Sequence, residues 1–176
     1  TMNIVRSFDV GSQSEGCAAD DVLQRLYVAE ETRGLWRYGA NPGDGTARVQ
    51  IDTTSSGGNL EEDAEGVTIY YSGAQTGYII VSSQGNDSFV IYDRQTNAYI
   101  GTFRIVDGTV DGVSGTDGID VSNLALSGFP QGVFVVQDGN NRDGGTRRNQ
   151  NFKLVPWQSI ASLFQPPLTI STNRVP

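Results

Sequence analysis

Apolar residues in this chain come in short runs, each closed by a polar or glycine-rich stretch. The three most apolar runs are Leu26-Tyr27-Val28-Ala29, Tyr78-Ile79-Ile80-Val81 and Val133-Phe134-Val135-Val136. Runs this short, rich in β-branched and aromatic residues, predict strands rather than helices. Each is preceded by a weaker apolar stretch, at Cys17-Ala18-Ala19, Val67-Thr68-Ile69-Tyr70 and Ile119-Asp120-Val121. A third strand is expected at 34–38, 88–92 and 152–157, and a fourth at 48–53 and 99–106. The links between them, such as Asn41-Pro42-Gly43-Asp44-Gly45 and Asp93-Arg94-Gln95-Thr96-Asn97, carry the residues that hairpin turns demand. Residues 4–10 match 100–106 in kind and are expected to be an outer strand. After Trp157 the alternation stops, which predicts a helical turn over 157–164, ended by Gln165-Pro166-Pro167. A last strand is expected at 168–171.

These runs repeat. Acid–glycine pairs stand at Glu15-Gly16, Glu65-Gly66 and Asp117-Gly118, spaced 50 and 52 residues apart, each just before the weaker apolar stretch. Oxygen-bearing side chains close the second strands at Glu30-Glu31, Gln84 and Asp138, with spacings of 53 and 54 from Glu31 onward. Four antiparallel strands in a unit of about 40–50 residues are the pattern of a propeller blade. The chain therefore reads as all-β: a single partial β-propeller domain of about three four-stranded antiparallel blades plus one leading outer strand. The divisions are 1–13 for the outer strand of a preceding blade, 14–60 and 61–113 for two blades, and 114–176 for a blade with the C-terminal tail. A β-sandwich could be built from the same strands, but the repeated acid–glycine position is hard to place in one.

Composition narrows the chemistry. The 176 residues include 22 glycines, and apolar residues make up 37%, which suits a loop-rich all-β protein. The formal net charge is −8 and Lys153 is the sole lysine, so nucleic acid is a poor partner. Histidine is absent and Cys17 stands alone. That excludes Ser-His-Asp, Cys-His and histidine–zinc sites built from this chain, and an intrachain disulfide. No apolar window is long enough for a membrane-spanning helix, and residues 1–6 lack the apolar core of a signal peptide.

In a propeller, repeats bring corresponding residues toward one axis. Glu15, Glu65 and Asp117 would line one end of the channel, with Glu31, Gln84 and Asp138 beside them. Carboxylates this close repel unless protonated or neutralised by cations, and hard oxygen ligands of variable geometry suit calcium. Taken singly, each Glu-Gly or Asp-Gly is explained by a turn; three in register point to metal. The loop Asp107-Gly108-Thr109-Val110-Asp111-Gly112 is acidic but lacks EF-hand spacing. Gln137-Asp138-Gly139-Asn140-Asn141 offers further oxygens, which a hairpin turn explains nearly as well. Arg147-Arg148 could touch phosphate, although arginine pairs are commonly solvated surface features.

An ordered series of segments resembles the β-propeller phytases. It runs through Ser14-Glu15-Gly16-Cys17, Leu26-Tyr27-Val28-Ala29-Glu30-Glu31, Asp63-Ala64-Glu65-Gly66-Val67-Thr68-Ile69-Tyr70-Tyr71, Ser82-Ser83-Gln84-Gly85-Asn86 and Ile91-Tyr92-Asp93-Arg94. It continues through Thr116-Asp117-Gly118-Ile119-Asp120-Val121, Gln137-Asp138-Gly139 and Asn149-Gln150-Asn151-Phe152-Lys153-Leu154-Val155-Pro156-Trp157. The resemblance implies the C-terminal half of a six-bladed ring that binds several calcium ions and hydrolyses phosphomonoesters of inositol hexakisphosphate with a metal-bridged water. It implies catalytic positions at Glu15, Glu31, Asp63, Glu65 and Asp117. It implies metal ligands at Glu15, Glu31, Asp63, Glu65, Gln84 and Asp111, and a tighter structural calcium site from Asp111, Asp138, Asn140 and Asn141. Asn140 stands where the family carries an acid, so a weaker site is expected there.

The family's basic phosphate-gripping residues lie mostly in the other half. The isolated chain is therefore expected to have little or no phytase activity. Its expected partners are an inositol phosphate substrate and either the N-terminal half of the ring or a second copy of itself, with no nucleic acid or membrane. Secretion or a periplasmic location is implied by the resemblance alone. The competing reading is a non-catalytic calcium-binding module that recognises anionic ligands or a protein.

Overall fold

A computed structural model describes residues 1–173, and the last three positions of the 114–176 segment lie outside the described residues. Three antiparallel sheets stand side by side. The first is β1 (Ser14–Asp20), β2 (Arg25–Glu30), β3 (Gly34–Gly39) and β4 (Arg48–Thr53), paired in that order. The second is β5 (Ala64–Tyr71), β6 (Gly77–Ser83), β7 (Ser88–Asp93) and β8 (Tyr99–Phe103), again in sequence order. The third is β9 (Ile119–Ser122), β10 (Val133–Asp138) and, after a small hairpin of β11 (Arg142–Asp143) and β12 (Thr146–Arg147), β13 (Asn151–Pro156). The first strands of the sheets, β1, β5 and β9, pack against one another. These are propeller blades around one side of an axis, and the array does not close into a ring.

Why the second strands read as unbroken apolar runs is visible in β6, where all seven residues are buried. Ile79 and Val81 face the first blade, in a core with Tyr27, Ala29, Leu35 and Val67. Tyr78 and Ile80 face the third, in a core with Phe89, Phe134, Val136 and Trp157. A strand covered on both sides has no polar face to alternate with. The outermost strand of the third blade differs. Phe152 and Leu154 on β13 are 65% and 53% exposed, because nothing among the described residues covers that side.

Three expectations are corrected. The third blade is a three-stranded sheet, because after β13 the chain turns into the helix α1 (Trp157–Ala161) instead of adding a fourth strand. Trp157 is buried and stacks on Tyr70 with ring centroids 4.0 Å apart, which fixes that turn. The leading segment 4–10 is not a strand, since a strand needs a backbone partner and none is present. It lies instead against the first blade through side chains. The Arg6 guanidinium donates to the carbonyls of Gly39, Asn41 and Gly45, and the Phe8 ring sits 4.9 Å from that of Tyr38. Residues 168–171 likewise form no strand; Leu168 is buried, and the Thr169 and Ser171 N–H groups donate to the hydroxyls of Tyr78 and Tyr70.

The first two blades are locked by polar groups as well as by apolar burial. Arg94, at the end of β7, and Asp20, at the end of β1, are both fully buried. Arg94 donates two hydrogen bonds to the Asp20 carboxylate, at 2.6 and 2.7 Å, and its remaining N–H groups reach the carbonyls of Gly73, Ala74 and Thr76. The Tyr92 hydroxyl donates to Asp52 at 2.7 Å across the same boundary.

Candidate metal centre

The acid–glycine pairs owe their position to two features of the backbone. In β1 the pairing with β2 slips between Ser14 and Cys17, and in β5 the pairing with β6 slips between Ala64 and Val67. Each bulge therefore falls on an acid–glycine pair, and a bulge re-aims the side chain it carries. The glycines sit where neighbouring first strands touch. A Cβ on Gly16 would collide with the Glu65 carbonyl, and one on Gly66 with that of Asp117. Without those side chains the strands close up, and the Gly66 N–H donates to the Asp117 carbonyl at 2.9 Å. Gly118 meets nothing within 4 Å, so the third copy of this seam is open.

Glu15, Glu65 and Asp117 consequently line one groove of about 310 Å³ with their glycines. Glu65 is 8% exposed. Burial, followed by the charges of Glu15, Asp117, Glu31 and Asp63, pushes its carboxyl up to about 7. Glu31, just beyond β2, is also raised, by desolvation and then by Asp63 and Glu15; it lies close enough to Asp63 to share a proton. Asp63 itself has φ 64, a left-handed conformation that aspartate tolerates better than most residues. Its carbonyl accepts the Gln84 N–H at 2.9 Å, and the Gln84 side-chain amide donates to Asp117 at 2.6 Å. The structure thus gathers Glu15, Glu31, Asp63, Glu65, Gln84 and Asp117 into one neighbourhood.

This neighbourhood has no cation of its own, as neither lysine nor arginine makes an ion pair with any of these carboxylates among the described residues. No three of the acids are already drawn in to metal-ligand distance. The donor set is all oxygen, mostly carboxylate, and crowded enough to hold a proton near neutrality. That chemistry fits a hard divalent cation such as calcium and does not fit a soft one.

Asp111 and Asp138 lie apart from this groove and have different company. The Lys153 ammonium lies between them, donating to Asp111 at 2.7 Å and to Asp138 at 2.6 Å, and also to the Gly112 carbonyl. The hydrogen bond from Lys153 holds Asp111 below the usual carboxylate range. Asp138 is buried and also accepts the N–H groups of Ser114 and Asn140, both at 3.2 Å. The Asn141 amide donates to the Asn149 carbonyl at 2.7 Å. The four sequence-derived ligands Asp111, Asp138, Asn140 and Asn141 are neighbours, with an internal ammonium between the two acids.

Sequence reasoning missed two contributors, Gln13 and Glu62, and gave Gln137 only as part of an oxygen-rich turn. Gln13 donates to Glu15 at 2.6 Å, Glu62 adds charge beside Glu31, and Gln137 accepts the Asp117 N–H at 2.8 Å. Gln13 precedes the first acid–glycine pair by two positions, as Asp63 precedes the second, and its carbonyl accepts the Glu31 N–H as that of Asp63 accepts the Gln84 N–H; the repeat marks the position, though not its amide. The role of Lys153 had a faint signal, as a lone charge in a strand whose cross-strand partner is the buried Val136.

Bladed sheets whose bulged first strands bring carboxylates to one end define a propeller with an oxygen-rich, cation-seeking mouth. Comparison with known proteins places such a chain in one family. The family model described as Phytase matches residues 1–176, and the chain belongs to that family. It is 48% identical over 160 residues to a 3-phytase of Bacillus subtilis (strain 168), an alignment that covers 89% of this chain and 42% of that relative. The chain thus spans less than half the length of the relative it matches.

Proposed function

We propose that this chain is the calcium-binding portion of a phytase that removes phosphate from inositol hexakisphosphate. The observation that carries the reading is the gathering of Glu15, Glu65 and Asp117 in one groove with Glu31 and Asp63 near them and no ion-paired lysine or arginine among the described residues, where burial and crowding push the Glu65 carboxyl up. Family membership and the 3-phytase relative support the chemistry; the crowding supports the metal.

Glu15, Glu31, Asp63, Glu65 and Asp117 would hold the ions, with Gln84 as a neutral ligand. Calcium bound there supplies positive charge for a phosphate group and lowers the pKa of water for attack on phosphorus. The chain's own part is placement. The bulges at Glu15 and Glu65 turn these carboxylates to one end, and the glycine contacts hold successive first strands at fixed spacing. The Gln84 amide orients Asp117. Glu65, whose carboxyl burial and its acidic neighbours push up to about 7, would have to be deprotonated to hold a cation. At the second cluster, the single Lys153 ammonium offsets one of the two charges of Asp111 and Asp138, and Lys153 would have to share these carboxylates with any cation held there.

The catalytic unit in this proposal is larger than the chain. The open seam at Gly118 is where a further blade seats, from the rest of a six-bladed ring or from a second copy. The isolated chain is expected to release little or no phosphate from inositol hexakisphosphate in excess calcium, and robust turnover would contradict this. A second reading, a non-catalytic calcium module, shares the crowded acids and is favoured by the sole lysine, Lys153, being tied to Asp111 and Asp138 and not placed beside the mouth. Addition of the remaining half-ring separates the two, since activity should appear only under the first.

A further inference from the structure

Comparison of the three blades isolates one segment without a counterpart. The link from second to third strand is 31–33 in the first blade and 84–87 in the second. In the third it is 139–150 and contains the hairpin of β11 and β12. All three links leave from the end of the blade that carries Glu15, Glu65 and Asp117. The extra hairpin is held at its base by the Arg148 N–H on the Asn141 carbonyl and by the Arg142 N–H on Asp111, at 2.9 and 2.6 Å. Its turn is Gly144-Gly145, with φ of 54° and 80°, the two-residue geometry that pins strand register.

That register sets Arg142 directly opposite Arg147. Like charges in this position repel and destabilise a hairpin. The alternation of the strands puts Arg148 on the other face with Asp143, and these two pair at 3.1 Å. Arg142 and Arg147 have no carboxylate partner among the described residues, and both are exposed. In a chain of net charge −8, this is a basic face on a two-stranded stalk, where the Arg142 guanidinium donates to the Gly145 carbonyl at 3.4 Å and forms no ion pair among the described residues. Two guanidinium groups on one face match a phosphate dianion, which can accept paired hydrogen bonds from both. The cleft of about 870 Å³ beside the hairpin, which Arg142 also lines, is less suitable, because Asp107, Asp111 and Asp143 offset its basic residues.

We infer that Arg142 and Arg147 form a calcium-independent clamp for a phosphate group at the rim of the metal-binding end. It rests on the proposed function only in taking the phosphate to be one of several on the substrate. The bound anion relieves the repulsion between the two arginines, and it anchors a polyphosphorylated molecule by a group that is not being hydrolysed. Free inorganic phosphate has the same chemistry and is the alternative source of the ligand.

The test is calorimetric titration of the full chain in excess chelator, with inositol hexakisphosphate in one arm and inorganic phosphate in the other. The variants are Arg142→Gln/Arg147→Gln and, as a control on the opposite face, Arg148→Gln. The wild-type chain should bind inositol hexakisphosphate without calcium, and the double variant should lose at least about tenfold in affinity. Arg148→Gln should change it by less than about threefold. Binding of inorganic phosphate alone, with the same sensitivity to the double variant, would support the clamp and assign it to free phosphate. No calcium-free binding of either anion, or equal losses in all variants, would overturn it. Calcium binding by the wild-type chain is measured in parallel: its absence with calcium-free anion binding intact would sink the proposed function and leave the clamp standing, and calcium binding with no calcium-free anion binding would do the reverse.

Discussion

Asp20 and Glu65 are both carboxylates at first-strand positions, and both are buried, at 0% and 8% exposure. Their surroundings are opposite. Burial alone would raise Asp20, but the hydrogen bonds and charge of Arg94 outweigh it and hold the group below its usual range. At Glu65 burial and four neighbouring acids act in the same direction, and the carboxyl rises to about 7. Asp20 has its cation built in and serves as a fastener between blades. Glu65 has none, and the fold holds it in place at a cost in stability. On the proposed reading, a buried acid without an internal partner is where an external cation would bind. Asp111 and Asp138 lie between these extremes, since they share Lys153 on a partly open surface.

Removal of the built-in cation should give the largest effect. Arg94→Met would leave Asp20 buried and unpaired, and should cost roughly 3–5 kcal/mol in chemical denaturation; a cost below about 1 kcal/mol would remove the contrast with Glu65. Supply of the missing cation should come next. Calcium at about a hundred times its dissociation constant should stabilise the fold by about 2.7 kcal/mol per site, seen as a rise of roughly 5–10 °C in melting temperature. Lys153→Met should then turn the intermediate case into the second kind. It should destabilise the metal-free chain by roughly 1–3 kcal/mol, recovered on calcium addition as an extra site in the titration.

The pH dependence sharpens the same contrast. Glu65 is raised from 4.5 to about 7, so the folded state holds its proton more tightly than the unfolded chain. The stabilisation from the protonated form is complete below 4.5 and is lost as pH rises through about 7. Glu65→Gln should flatten that part of the metal-free stability profile and raise the melting temperature on its alkaline side. Asp20 should contribute the opposite slope, losing its stabilisation at acid pH as it protonates. The smallest effect belongs to the exposed pair of Arg148 and Asp143, whose side chains are 56% and 75% exposed. Arg148→Ala should cost at most about 1 kcal/mol in denaturation.

The strands were legible because each blade's second strand is an apolar run with turn residues at both ends. Residues 4–10 were misread for a physical reason: their alternation is that of a strand, but a strand exists only if a partner offers backbone groups. The helical turn after Trp157 was legible from the loss of alternation, while what fixes it, the docking of Trp157 onto Tyr70, was not. At the mouth, the spacing of Glu15, Glu65 and Asp117 announced a shared end of the blades. Their crowding depends on bulges and on strand contacts at Gly16 and Gly66, which no periodicity records. Lys153 shows the limit most clearly: the acids of the second cluster were visible in sequence, while the ammonium between them arrives from a strand 15 residues beyond Asp138.

The central claim is that the crowded carboxylates at the end of the blades take a divalent cation. It is tested most directly by calorimetric titration of calcium at about pH 6.5, below the Glu65 value, with proton release measured in parallel. Saturable binding by the wild-type chain, with proton release that Glu65→Gln abolishes along with most of the affinity, is the predicted result. No binding, or binding unchanged in Glu65→Gln with the same proton release, would contradict it.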